Sequence, residues 1–352
     1  MIKDRDQKIV AEFWSTHEPD ELNYYCSPIT RPHLIKTAYG QELSLIHKDN
    51  KYFAEDIFID THLKHRKVES ILSLCCGFGE SERYFVSRLP DVKYCLGLDL
   101  AEGALKEAKE RAHGMNIDYE LADLNKYPWQ ENRYDLVIAQ GALHHLSNLE
   151  GVISGIYRTL KPGGILYSCE YVGPSYQDHS IRQLQLINAT AFLVPPELRA
   201  RKGLSVSFEP AFRVLSWAHS LAVEHENPAW PGWKKNTASL MRKVLKRNHN
   251  KLDFGKVHIS PKNMLLKIDP SECVRSADII PVLQKTFRDL NYRSFGGGIL
   301  LHALDINFYA NFNSSNPLHT NTIEMLSYLE NHYENVGEIG MENAFLVAVK
   351  DK

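Results

Sequence analysis

SILSLCCGFGESER, residues 70–83, sets a short apolar run (Ile71, Leu72, Leu74, Cys75) directly before two glycines and a segment of helical composition. A run of this kind, closed by glycine, fits a buried parallel strand, a tight turn and a helix. Gly77 and Gly79 let the backbone turn sharply and come close to a ligand. The helix start behind them offers unpaired N–H groups at the carboxyl edge of a sheet, where a nucleotide-like ligand belongs.

The residues that follow narrow the choice of nucleotide. The dinucleotide fingerprint asks for a third glycine three places after the second; Glu82 stands there, with Glu80 just before it. Two carboxylates at a helix start compete for the positive end of its dipole and would repel a pyrophosphate. A Walker lysine is also missing, since the chain continues SERYF. A ligand carrying an ammonium and a sulfonium is favoured instead, and S-adenosylmethionine is such a ligand, with S-adenosylhomocysteine as its product.

Working outward, KYCLGL (93–98) predicts a second strand that ends at Asp99, 20 residues past Gly79. There a carboxylate reaches the ribose hydroxyls of an adenosine; the same position also suits a cap for the helix expected over Glu102 to Ala112. A third strand over Ile117 to Leu121 leads to Asp123, placed for the adenine amine, and Leu124, placed to pack near the ring. YDLVIAQGALHHL (134–146) predicts a fourth strand delivering Gln140, Gly141, His144 and His145 to the same edge. After a helix through Tyr157 and a turn over Lys161 to Gly164, a fifth strand over Ile165 to Cys169 ends at Glu170 and Tyr171. Five such strand-and-helix units make an open parallel sheet with right-handed crossovers.

The 352 residues, 43% hydrophobic and 24% charged, suffice for a large core and an additional lobe. A net charge of -2 gives no signal for a polyanionic partner, and the basic run Lys234 to Lys251 reads as a solvated helix face, so nucleic acid is not expected. The polar start MIKDRDQK and the lack of an apolar stretch near the roughly 20 residues of a membrane span set the expectation of a cytoplasmic protein with no membrane contact. Cysteines 26, 75, 76, 95, 169 and 273 show no metal-ligand spacing and read as reduced core residues. Residues 1–50, with a helix over Asp4 to Phe13 and then an aromatic, proline-rich stretch, read as an arm over the site in which Trp14, Tyr24 and Tyr25 either line the pocket or pack on the core.

LSLCCGFGE, LGLDL, ELADL, YDLVIAQGALHHL and RTLKPGGILY closely resemble the motifs of class I S-adenosylmethionine-dependent methyltransferases, over Ser70 to Pro174. The resemblance implies an α/β, Rossmann-like fold: a seven-stranded, mostly parallel sheet with helices on both faces, and a largely helical insertion after the fifth strand. It implies cofactor contacts from Ser73, Cys75, Gly77, Gly79, Glu82, Asp99, Leu100, Asp123, Leu124, Gln140 and His145. In the tail it implies a helix over Asp278 to Leu290, then YRSFGGGILL and ENAFLVAVK as closing antiparallel strands. Two positions depart from the family: Ser73 stands where an acidic residue is usual, and Cys75 where a glycine is usual. A subset resembling this chain, often met among bacterial tailoring methyltransferases, pairs the strand serine with a helix glutamate, which passes the task of holding the methionine ammonium to Glu82. The same subset is similar around EYVGPS, SECVRSADIIPVL and GGGILLHAL.

The core is thus expected over 51–173 and 272–352, with 174–271 as a helical insertion that serves as a substrate lid or a dimerisation lobe. Trp230 and Trp233, set between prolines, are candidates for the acceptor pocket with Tyr24 and Tyr25. For removal of an acceptor proton the candidates are His144 and His145, with Glu170 and Tyr171 as rivals. No metal is expected, because adjacent histidines on a helix diverge. The function expected is an O- or N-methyltransferase acting on a small molecule, sugar or peptide. The alternatives are a non-catalytic cofactor-binding subunit and an NAD-dependent oxidoreductase.

Overall fold

The computed structural model describes residues 4–16, 27, 29–40, 54–195, 198, 231, 236, 266–267, 269–304 and 311–352. Tyr24, Tyr25, Trp230 and Trp233, most of the insertion and most of the basic run lie outside the described residues.

Seven strands form one sheet: β1 (Ser70–Leu74), β2 (Tyr94–Asp99), β3 (Ile117–Leu121), β4 (Tyr134–Gln140), β5 (Leu160–Tyr171), β6 (Asp289–Ser294) and β7 (Asn343–Val349). Their order is β3-β2-β1-β4-β5-β7-β6, with β7 antiparallel to both neighbours and the first five strands parallel. The sheet is buried on both sides, so its strands read as apolar runs whose alternate residues feed two cores. Ile71, Cys95, Leu136, Ile138, Ile165 and Tyr167 face one core, while Leu72, Leu74, Leu96, Leu98, Val137 and Ala139 face the other.

Helices α1 (Asp4–Trp14), α2 (Arg31–Tyr39), α3 (Ala54–Phe58, continued as a π turn to Leu63), α4 (Glu80–Arg88), α5 (Glu102–Arg111) and α6 (Leu149–Thr159) precede α7 (Ile181–Leu193) and α8 (Ile279–Thr286). Then come α9 (Leu300–Ala303) and α10 (Pro317–Asn335). Phe58 of α3, Phe85 of α4 and Leu326 of α10 seal the first core; Val152 and Ile156 of α6 and Val282 and Leu283 of α8 seal the second.

The closing segment departs from expectation. Helix α8 stops at Thr286, and the strand over 289–294 occupies what reads as its last turn and beyond. Gly296 and Gly297 have φ of 81° and 96°, which ends the strand early. Glu330, buried on α10, accepts the N–H groups of Gly297, Ile299 and Leu300 at 2.9, 2.8 and 2.7 Å, so the glycine run becomes a turn into α9. In the middle of the chain β5 is longer than expected, running from Leu160 through the glycine turn, with a register shift against β4 between Tyr134 and Leu136.

Candidate functional site

Every strand of the parallel part ends at one edge, and the site is assembled there. Backbone φ is positive at Cys75 (47°), Gly77 (51°) and Gly79 (80°), so the chain coils tightly out of β1. Cys75 therefore holds a left-handed conformation that favours glycine. A Cβ at Gly79 would lie 2.5 Å from Tyr119 Oη and 2.9 Å from Glu82 Oε1, which excludes any side chain there.

Ser73 shares its strand face with Ile71, against which α4 packs, and so meets Glu82: Ser73 Oγ donates to Glu82 Oε2 at 3.0 Å. Glu82 is fully buried; its Oε1 makes no aligned hydrogen bond among the described residues, and the Tyr119 hydroxyl is close enough to favour its charge. Burial pushes its carboxyl pKa up, against the hydrogen bonds that favour the charge. Asp99 ties the turn down, accepting Gly77 N–H on Oδ2 and Ala101 N–H on Oδ1, both at 2.8 Å. Its pKa is also raised by burial, with backbone N–H groups and His145 opposing. Leu100 follows at the half-buried strand end, and Leu124 is buried.

Asp123 caps a 3-10 turn through Asn125 and accepts Gln7 Nε2 from α1 at 2.9 Å. Gln140 accepts Ser81 Oγ at 2.7 Å and donates to Glu55 Oε1 of α3 at 3.0 Å.

The other half of this edge forms around a 3-10 turn, Leu143–His145. Glu170 lies beneath it: Oε1 accepts Ala142 and Leu143 N–H at 2.7 and 2.8 Å, and Oε2 meets His144 Nδ1 at 2.8 Å. A carboxylate held by three donors is committed to that turn. Tyr171, the next residue along the strand, donates its hydroxyl to Pro174 O at 3.3 Å. Successive strand residues point to opposite faces, so Glu170 and Tyr171 do not face one acceptor together.

His145 is held differently. Ser271 Oγ donates to Asp269 Oδ1 at 2.6 Å, so its oxygen accepts the Nδ1 proton of His145 at 3.0 Å. That assigns the tautomer and leaves the Nε2 lone pair unprotonated, with Glu272 Oε2 3.8 Å away. Trp14 Nε1 donates to Asp269 Oδ2 at 2.7 Å, and the indole stands edge-on to the His145 ring at 5.6 Å. Helix α1 thus spans both ends of the site, through Gln7 and Trp14.

The two imidazoles titrate in opposite directions. Burial alone would lower His144, but the hydrogen bond and charge of Glu170, with Glu272 and Asp269 behind, raise it to about 9. Burial and the charge of His144 lower His145, against the pull of the same carboxylates. At neutral pH His144 is an imidazolium and His145 is neutral.

Their rings do not diverge. The centroids are 4.1 Å apart, and His144, His145 and Glu272 each bring a ligand atom within 4.8 Å of the others. The geometric reason for setting a metal aside fails for this pair, because the turn is 3-10 and the rings lie close together.

Residues 71–164 match the family model described as a methyltransferase domain. The segment resembles a ubiquinone/menaquinone biosynthesis C-methyltransferase of Desulfotalea psychrophila, 32% identical over 94 residues, which are 27% of this chain and 38% of that protein. It also resembles an uncharacterized methyltransferase of Synechocystis, 35% identical over 109 residues, 30% of this chain and 49% of the relative. Residues 71–164 are a class I S-adenosylmethionine-dependent methyltransferase domain. A solved S-adenosylmethionine-dependent methyltransferase from Mesorhizobium loti is 31% identical over 30% of this chain and 47% of its own, with a TM-score of 0.28. The chain spans about half the length of the curated relatives it matches.

The cofactor of this methyltransferase domain is S-adenosylmethionine. The residues present suit it: Glu82 keeps a buried carboxylate oxygen without an aligned hydrogen bond beneath the glycine turn, and a Cβ at Gly77 would meet nothing within 4 Å. Among the described residues no helix is long and apolar enough to cross a membrane.

Gln7, Asp269, Ser271 and Glu272 were not legible as site residues. Asp269 and Ser271 sit in DPSE, which in sequence is only a helix-capping pattern. Gln7 lies on a polar helix face with nothing to distinguish it.

Proposed function

We propose that the chain transfers a methyl group from S-adenosylmethionine to an oxygen or nitrogen of a small molecule, sugar or peptide in a tailoring or biosynthetic pathway. His145 Nε2 receives the acceptor's proton. The observation that carries this reading is the chain Asp269, Ser271, His145, which leaves a neutral imidazole with an unprotonated Nε2 at the edge that also bears Asp99.

When bound, S-adenosylmethionine supplies a methyl group activated by its sulfonium. Asp99 and Asp123 are placed for the ribose hydroxyls and the adenine amine, Glu82 with Ser73 for the methionine ammonium, and Gly77 leaves room for close approach. Burial, with the charge of His144, keeps His145 neutral, and His144, anchored by Glu170, fixes the turn that carries it. Glu170 is a positioning residue, and Tyr171 takes no part. The arm reaches the pocket through Gln7 and Trp14, the core is assigned to 51–173 and 272–352, and the insertion, 174–271, is assigned the role of a substrate lid.

The small-molecule class is supported by relatives named for quinone, naphthoquinone and phosphoethanolamine methylation. Several of these are named C-methyltransferases, so a carbon acceptor is the second reading. Calorimetric titration with S-adenosylmethionine and S-adenosylhomocysteine, with NAD as control, tests the class. Micromolar binding of both sulfur compounds and none of NAD is expected; binding of neither would overturn the reading.

A further inference from the structure

A second histidine and carboxylate cluster stands apart from the site above. His179 precedes α7, His302 lies on α9 and Glu342 precedes β7. The His179 and Glu342 side chains are buried to 0% and 1% exposure, and His302 to 11%. His179 Nε2 is 2.9 Å from Glu342 Oε1, and His302 Nε2 is 3.2 Å from Glu342 Oε2. The two rings meet edge to face at 4.6 Å.

His179 is the telling member. Its Nδ1 makes no hydrogen bond among the described residues, while Nε2 pairs with Glu342 at 2.9 Å and, with His302, favours that carboxylate's charge. A buried polar atom normally finds a partner, and the close approach of two imidazoles to one carboxylate is also the spacing of a ligand set. Two ligands of one cation meet in this way: with metal bonds of about 2.0–2.1 Å, neighbouring donor atoms around a tetrahedral ion stand roughly 3.3 Å apart. All three residues offer a ligand atom within 4.8 Å of the others.

We infer that His179, His302 and Glu342 bind a divalent metal ion of the zinc type. Two imidazoles and one carboxylate suit zinc or cobalt; magnesium and calcium prefer sets of oxygen ligands. Glu342 is oriented from outside the cluster, since Gln183 Nε2 on α7 bonds both its Oε1 and Gly298 O. Three protein ligands leave the fourth tetrahedral position to solvent. The ligands come from the segment before α7, from α9 and from the residue before β7, so the ion would pin α7 to the core edge. This site rests on no part of the methyl-transfer reading.

The test uses the full chain, stripped with a chelator and titrated with zinc against a chromophoric competitor, then with cobalt to read the visible band of a tetrahedral site. Wild type is expected to take up about one equivalent of zinc and to melt several degrees higher with it. His302→Gln should weaken zinc binding at least about 100-fold and abolish the melting shift. His145→Gln should change neither, which separates this cluster from the one containing His144, His145 and Glu272. The inference is overturned if stripped wild type takes up no zinc, if His302→Gln still binds it with wild-type affinity, or if His145→Gln removes it. The wild-type titration stands even where a variant fails to fold.

Discussion

The two halves of the site edge are built by opposite means. From β1 to β3 the contacts are short-range: Ser73 meets Glu82 across 9 residues of sequence, and Gly77 meets Asp99 across 22. Around His145 the partners are remote: Ser271 is 126 residues away, and Trp14 reaches Asp269 across 255. Local strand-turn-helix units make a nucleotide cradle that many chains share. The acceptor side is assembled from the arm and from the end of the insertion, the parts free to differ with the substrate.

The sharpest way to break that contrast is a reciprocal pair of substitutions. His145→Ala should lower kcat by roughly 10²–10⁴-fold while S-adenosylmethionine affinity stays within about threefold. Asp99→Ala should weaken cofactor binding about 100-fold, through loss of a charged hydrogen-bond acceptor and of the Gly77 tether. Calorimetry on both variants, with kinetics on an acceptor found by screening, reads the split. If both lose cofactor affinity together, the two halves act as one unit and the contrast fails.

A smaller effect concerns what holds the acceptor side together. Folding raises the pKa of His144 from an ordinary 6.5 to about 9. A raised pKa contributes stability that is fully present below about 6.5 and is lost as pH rises through about 9. At about 1.4 kcal/mol per unit, the contribution has a ceiling of about 3 kcal/mol. Urea denaturation should therefore show wild type losing stability across that window, and Glu170→Gln losing much less, from a lower starting value. Parallel pH curves for the two proteins would mean that Glu170 does not charge His144.

The smallest effect belongs to the cofactor side. Cys75→Gly relieves a left-handed backbone at φ 47° but adds freedom to the unfolded chain. The two terms are each about 1 kcal/mol and opposed, so stability should move by less than about 1 kcal/mol with cofactor affinity unchanged. A large loss of stability would show that the thiol packs more tightly than the turn geometry requires.

Much of this was legible because it is local. The alternation of apolar residues, the glycines at 77 and 79 and the acids ending β2 and β3 follow from hydrogen bonds and sterics within a few residues, and they fix the parallel half of the sheet. The tail was not legible in the same way. DLNYRS carries no clear strand period, and it becomes β6 because β7 offers it an antiparallel partner; the glycines after it turn because Glu330, more than 30 residues on, captures their N–H groups.

The sequence by itself determined the parallel half of the sheet, the edge at which its strands end and the candidacy of both histidines. Only the tertiary structure set the two apart in charge and partners. A pKa depends on burial and on charges a few ångströms away, and those charges come from β5 and from residues 269–272, which no spacing in the sequence brings to His144 and His145.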